Sequence, residues 1–434
     1  MENQFKYKKP LSYYENKLGY FIFVLAYLVL TITSKYVCTV LYKNLPIVQT
    51  LFGGDVYLEH FFVIVLTIAF IIFAFRRKLN FSIIPALLLC RTIVLMINVF
   101  FVLKTTPLYI LTRECNTFCA VLVFMFGYNF ISKEKTELKV LATLLSLILS
   151  VQLITTFILG DGEKAKIFTS LGLHNYASTF LTVLVAYLLF SKTDILAKLV
   201  CAVSVVAIVL SQSFGGIVVI GLILLFYLVK TLNWKSKRTY LYLGIGVLVL
   251  AGFVALLATL PAFESIWDML VSKFTFLFSG NVDGVGTGRV TLFKFSWENI
   301  RRNFFWGILD NYNPDPAVLH WEHPYWYFNR LHHTTHNHFL ESMLLYGLIG
   351  TIFNIAALAL VFVVGFKRCK QDKSRWAIFY ALIFAVIYGV FEPNFLTADF
   401  TLIFWVFAGA LTSPIKTLRE NFLTDVFVKY DKLV

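Results

Sequence analysis

An all-α polytopic membrane protein of about twelve transmembrane helices is the fold class this sequence predicts, and three observations predict it. The 434-residue chain is 59% hydrophobic and 14% charged, with a mean hydropathy of +0.77. A soluble domain is nearer ~45–50% apolar and ~25% charged. The apolar residues gather into runs about as long as the ~20-residue helix that crosses a bilayer. The basic residues then fall mostly into every second connection, as the positive-inside rule requires. Together these exclude a soluble enzyme, a disordered chain and a nucleic-acid module, although the net charge is +14 and the pI 9.4.

The elements follow in order. Met1 to Lys17 is polar and basic, and no small-residue cleavage site follows it. The first helix is therefore expected to be retained. Apolar runs lie at 18–38, 56–75, 80–103, 114–132, 139–160, 175–190, 197–211, 214–230, 240–260, 339–366, 376–391 and 396–413. The stretch 197–230 is too long for one crossing and is split at Ser211-Gln212-Ser213-Phe214-Gly215-Gly216. With the N-terminus inside, the inner connections hold Arg76 and Arg77, Lys133 and Lys135, and Lys367 and Arg368 among others, which is most of the 38 basic residues. Both termini are then cytoplasmic. The six cysteines are scattered without zinc spacing and read as ordinary helix residues.

The expected organisation is helices one to nine over 1–260, an extracytoplasmic loop over 261–338, and helices ten to twelve plus a cytoplasmic tail over 339–434. Long connections of this kind are usually functional. The loop holds six of the eight histidines: His320, His323, His332, His333, His336 and His338. Trp267, Trp297, Trp306, Trp321 and Trp326 are also there.

Outside the cytoplasm there is no nucleotide sugar, so an enzyme there needs a pre-activated donor such as a lipid pyrophosphate. Three kinds of group serve such a donor: cations for the diphosphate, a base for the attacking hydroxyl, and aromatic faces for sugars. The loop has all three. Its cations are Arg289, Lys294, Arg301, Arg302 and Arg330. Arg289 follows Thr287, an expected N-cap, in Gly286-Thr287-Gly288-Arg289, at the start of a helix with Phe293, Trp297, Ile300 and Phe304 on one face. It is either an anion ligand at a helix N-terminus or a solvated arginine. Arg301 and Arg302 serve either the donor or lipid headgroups. Arg91 lies inside a span, where a charge costs about 2.5–3.5 kcal/mol on insertion scales. It reaches either a pyrophosphate or a buried carboxylate. Tyr325 and Trp326 belong to an aromatic run that is either an interfacial belt or a glycan groove. The cluster His332-His333-Thr334-Thr335-His336-Asn337-His338 is a metal site, a polar collar or the source of a general base. Glu341 is placed to orient a histidine, and Gly347 and Gly350 share a helix face that lets a neighbour approach.

His336-Asn337, nine residues, then Gly347-Leu348-Ile349-Gly350 resembles a signature of the O-antigen ligase and Wzy-type polysaccharide polymerase family. Gly288-Arg289 is similar to the family's Gly-Arg. Asn303-Phe304-Phe305-Trp306-Gly307-Ile308 is similar to its Pro-apolar-apolar-Gly-apolar segment, without the Pro. The likeness is best over about 286–350. It implies a GT-C-like membrane fold in the bacterial cytoplasmic membrane, with the active site on the outer face. It further implies inverting, metal-independent glycosyl transfer from an undecaprenyl-pyrophosphate-linked oligosaccharide, with no cofactor and no nucleic acid. His336 is then the general base, with His333 and His338 in support. Arg289 holds the pyrophosphate, with Arg91, Arg301 and Arg302 as further donor ligands. The flippase and chain-length regulator of the same pathway are the expected protein partners. The family's middle-helix Arg is replaced here by Phe214, which cannot bind phosphate. So Arg91, Arg113, Arg301 or Arg302 substitutes, or the donor is held differently. The expected activity is polymerisation of lipid-linked repeats of O-antigen, capsule or exopolysaccharide. The alternatives are an O-antigen ligase acting on lipid A-core and a lipid-glycan transporter or flippase.

Overall fold

The computed structural model describes residues 80–98, 101, 108–130, 136–160, 168–169, 172–192, 194–237, 263–280, 289–307, 336–392 and 398–414, with four single positions between 240 and 252. The expected spans 18–38 and 56–75, most of 240–260, and the stretch 308–335 lie outside the described residues.

The described chain is helical apart from one short hairpin. Helices α1 (Ile83–Ile97), α2 (Leu108–Phe130) and α3 (Thr136–Leu159) come first. The hairpin pairs β1 (Phe168–Thr169) antiparallel with β2 (Gly172–Leu173). Next come α4 (His174–Phe190), α5 (Ile195–Leu210) and α6 (Phe214–Thr231). Two amphipathic helices follow, α7 (Glu264–Phe278) and α8 (Arg289–Arg302). The last group is α9 (His338–Gln371), a 3₁₀ turn at Lys373–Arg375, α10 (Trp376–Tyr388) and α11 (Ala398–Thr412).

Local chemistry sets the breaks. The apolar run at 197–230 divides where Gln212 adopts φ +54° and the Ser213 hydroxyl caps α6 by accepting from the Gly216 amide at 3.4 Å. Asp194 caps α5 in the same way. Among the described residues, Leu138–Leu159, Phe214–Thr231 and His338–Gln371 are long and apolar enough to cross a membrane. Around them α1, α4, α5 and part of α11 are shorter and apolar. This is the composition of a multi-pass helical membrane protein.

Packing is closest where side chains are smallest. A Cβ on Gly127 of α2 meets the Val406 carbonyl of α11, and one on Gly409 of α11 meets the Phe124 carbonyl of α2. The two backbones therefore touch, as in other membrane helix pairs. A Ser150–Ser204 hydrogen bond of 2.9 Å joins α3 to α5. At one end of the bundle Arg375 donates to the carbonyls of Ala410, Leu411 and Ser413 at 2.7–3.2 Å and pairs with Asp372 at 3.1 Å. That clamp binds the start of α10 to the end of α11.

Helix α9 corrects the expectation of a single crossing at 339–366. Gly347 has φ +61° and ψ −169°, which no helix contains. Asn354 hydrogen-bonds both His338 (3.2 Å) and Ser342 (3.1 Å). In a straight helix sixteen residues span about 24 Å, so the chain folds back on itself at Gly347. Residues 338–346 form a short re-entrant helix, and 348–371, about 36 Å long, makes the crossing. The fold-back frees backbone groups, and the turn after α8 takes them up: Leu348 N donates to Phe304 O at 2.8 Å and Ile349 N to Phe305 O at 3.3 Å. Gly307 (φ +77°) and Gly347 face each other so closely that a Cβ on either strikes the other's backbone. The expected shared helix face of Gly347 and Gly350 is thus corrected. Gly347 makes the turn against Gly307, while Gly350 faces Tyr346 of the re-entrant limb and Val94 of α1.

Candidate active site

The fold-back lowers the His336 segment into the bundle. α10 has only 13 residues, about 20 Å. Its end meets the re-entrant helix: His338 N donates to Gly389 O at 2.7 Å, and Asn337 Nδ2 donates to Val390 O at 3.1 Å. Asn337 also caps the helix, its Oδ1 accepting from Phe339 N and Leu340 N at 3.0 Å each. By the helical rise, this seam lies on the order of 10–15 Å from the Gly347 turn. His336 is therefore not at the tip of a crossing helix, where the sequence placed it, but at the bottom of a fold-back.

His336 itself adopts φ +51°, an uncommon conformation for a residue with a Cβ. Strain of this kind persists where surrounding contacts hold it. Its Nδ1 lies 2.9 Å from Glu392 Oε2. Glu392 is 5% exposed at the side chain and His336 29%. A carboxylate accepts, so Nδ1 donates, and in the neutral ring the lone pair is then on Nε2. The arrangement is that of a base whose ring is fixed by an acid, which also stabilises the cation formed on proton uptake. The carboxylate that holds His336 is Glu392 rather than the expected Glu341, which is buried in the first turn of α9.

The floor of the site is polar. Tyr388, fully buried, shares a hydrogen bond of 3.1 Å with the Ser213 hydroxyl. Phe391 lies against Gly215. The middle turn 211–216 thus abuts the turn that carries Glu392. Phe214 is the first residue of α6.

Arg91 meets no carboxylate among the described residues. It is 7% exposed and donates from Nη2 to Thr117 Oγ1 (2.6 Å) and from Nη1 to Asn354 Oδ1 (3.3 Å). Its guanidinium lies 4.6 Å from the Tyr346 ring centroid. Asn354 passes the contact on to His338, which is fully buried. His338 therefore belongs to this inner network and not to the open side of the site.

The other expected residues are dispersed. Arg289 begins α8, as its helix-start pattern predicts; its side chain lies outside the described set, as does Thr287. Arg301 and Arg302 are exposed in the last turn of α8. The face α8 buries is Ser296, Asn299 and Ile300, while Trp297 is 52% exposed. Of the expected apolar stripe Ile300 is buried, Phe293 is half-buried, and Trp297 and Phe304 are exposed. Tyr325, Trp326 and His333 lie outside the described residues, with the rest of the aromatic run and His332. Among the described residues no three His, Cys, Asp or Glu side chains converge as a metal set.

Glu392 was missed from sequence, although a signal existed. It sits in Phe391-Glu392-Pro393 between two apolar runs. An acid in such a place is a functional-site signal in its own right.

Fold and site together define a multi-pass membrane protein with a carboxylate-held histidine on a re-entrant helix. Residues 199–355 match the family model described as O-antigen ligase, so this segment is similar to that family. The match runs from α5 to the crossing part of α9 and includes His336, Gly307 and Gly347; Glu392 and Arg91 lie outside it. A comparison with curated proteins gives no match.

Proposed function

We propose that this protein polymerises lipid-linked oligosaccharide repeats on the outer face of the cytoplasmic membrane, with His336 as general base. The observation that carries the reading is the 2.9 Å contact from His336 Nδ1 to a buried Glu392. The acceptor hydroxyl gives its proton to His336 Nε2 as its oxygen bonds to the anomeric carbon of the donor. The bond from that carbon to the diphosphate oxygen breaks, undecaprenyl diphosphate leaves, and the anomeric configuration inverts. Arg289, at the N-terminus of α8, is the proposed diphosphate ligand. Its position in the first turn beside free backbone N–H groups supports this role. Twelve spans with both termini inside orient the site outward, because the connections at the Arg375 end carry Lys192, Lys198, Lys230, Arg368 and Lys373.

A second reading is a ligase that passes the same donor glycan to another acceptor, which the O-antigen ligase domain fits equally. Both share the base. The test is complementation of a strain lacking the protein with wild-type and His336→Ala chains, matched for expression. Surface polysaccharide is resolved by length, and lipid-linked intermediates are extracted. Loss of the long ladder with single lipid-linked repeats accumulating supports the polymerase. Normal-length chains still attached to the lipid carrier identify the ligase. An unchanged surface profile sinks the base assignment.

A further inference from the structure

We propose that Arg91 is a positioning residue: it clamps the fold-back of α9 and so holds His336 against Glu392, without touching the donor. The inference rests on the reading of His336 as base. Arg91 reaches both limbs of the fold-back. On the re-entrant limb it covers the ring of Tyr346, the last residue before Gly347. On the crossing limb it donates to Asn354, whose amide in turn holds His338 and Ser342 on the first limb. Its other Nη is committed to Thr117 of α2 at 2.6 Å. The guanidinium therefore ties α1, α2 and both limbs of α9 at one point.

Geometry argues against a donor ligand. Each terminal nitrogen already holds a side-chain acceptor, one face is covered by a ring, and the residue is 7% exposed, so little of the guanidinium is open to a ligand. Only Nε lacks a hydrogen-bond partner among the described residues. A diphosphate needs two or more open donors in a fork. The link to catalysis is short. His338, two residues after His336, is held through its side chain by Asn354 and through its backbone N–H by Gly389, three residues before Glu392. A shift of the re-entrant limb therefore moves His336 relative to Glu392, and misplacement of a reacting group by ~1 Å can cost ~10²-fold in rate.

The test uses the full chain in lipid–detergent micelles, with Arg91→Met, Arg91→Lys, Asn354→Leu and the Arg91→Met/Asn354→Leu pair. The substrate is the lipid-linked repeat extracted from a strain lacking this protein. Amide exchange over 338–349 is read beside kcat and KM. For Arg91→Met the expected result is exchange faster by about tenfold and kcat lower by about tenfold to 10²-fold, with KM for the repeat within about twofold. Arg91→Lys, which keeps the charge but not the fork, falls between. The double variant loses no more than the larger single one, because the two side chains act as one unit. A raised KM with unchanged exchange overturns the proposal in favour of a donor ligand, and additive losses overturn it as well. The exchange arm needs no turnover. If His336→Ala keeps full activity, the general-base reading fails on its own, and unchanged exchange in Arg91→Met then overturns the clamp separately.

Discussion

Two ends of the bundle are each built around a buried arginine, and they differ in every other respect. At the α10–α11 end, Arg375 has an acid partner in Asp372 and three backbone carbonyls as acceptors. The chain around it is ordinary helix terminus. At the other end Arg91 has only neutral partners and a ring, and the backbone nearby takes positive φ at His336, Gly307 and Gly347. One end is satisfied and regular. The other is strained and carries the histidine. Strained backbone gathers at functional sites because the surroundings must over-determine it, so the comparison separates what holds the bundle from what works in it.

That contrast is sharpest at His336. His336→Ala is expected to lower kcat by about 10²–10⁴-fold, the range for a lost general base, with the thermal midpoint unchanged. Radiolabelled transfer and a melting curve on the same sample check both. Glu392→Gln keeps the shape but accepts less strongly from Nδ1 and stabilises the imidazolium less. A loss of about 10²-fold or more in kcat is expected, with KM near wild type. If Glu392→Gln instead unfolds the chain, Glu392 belongs with Arg375 on the structural side. Gly347→Ala places a Cβ against the Phe305 carbonyl at φ +61°. It is expected to cost about 1–3 kcal/mol for the backbone alone and more for the clash, lowering the melting midpoint and activity together. Arg375→Met is expected to have the smallest effect on kcat and is the cleanest inverse. It loses hydrogen bonds of a charged donor, each worth about 1.5–3 kcal/mol, so the midpoint falls while kcat and KM of the surviving folded fraction hold.

Much of this was legible in the sequence, for reasons that can be named. Apolar runs found α1, α3 through α6, α10 and α11 among the described residues to within a few residues, because these helices are built mostly of apolar side chains. The Ser211–Gly216 break was readable from turn chemistry. The fold-back of α9 was not. Hydropathy is blind to direction, and Phe339, Leu340, Met343, Leu344 and Leu345 run 338–346 into the more apolar span it precedes. Only Gly347 distinguished it, and a lone glycine is equally a packing residue. Glu392 escaped because it is 56 positions from His336 in the chain, and local spacing favoured Glu341.

The order of synthesis gives the Gly347 turn a last meaning. Chains emerge N-terminus first. Arg91, Thr117 and the 304–307 turn all precede residue 347, so the acceptors for the Leu348 and Ile349 amides exist before those amides do. Glu392 and Gly389 arrive afterwards. A nascent chain can thus close its hairpin without the acid and receive it only when the final helix pair inserts. On the reading of His336 as base, the histidine waits for its acid until that last pair is in place.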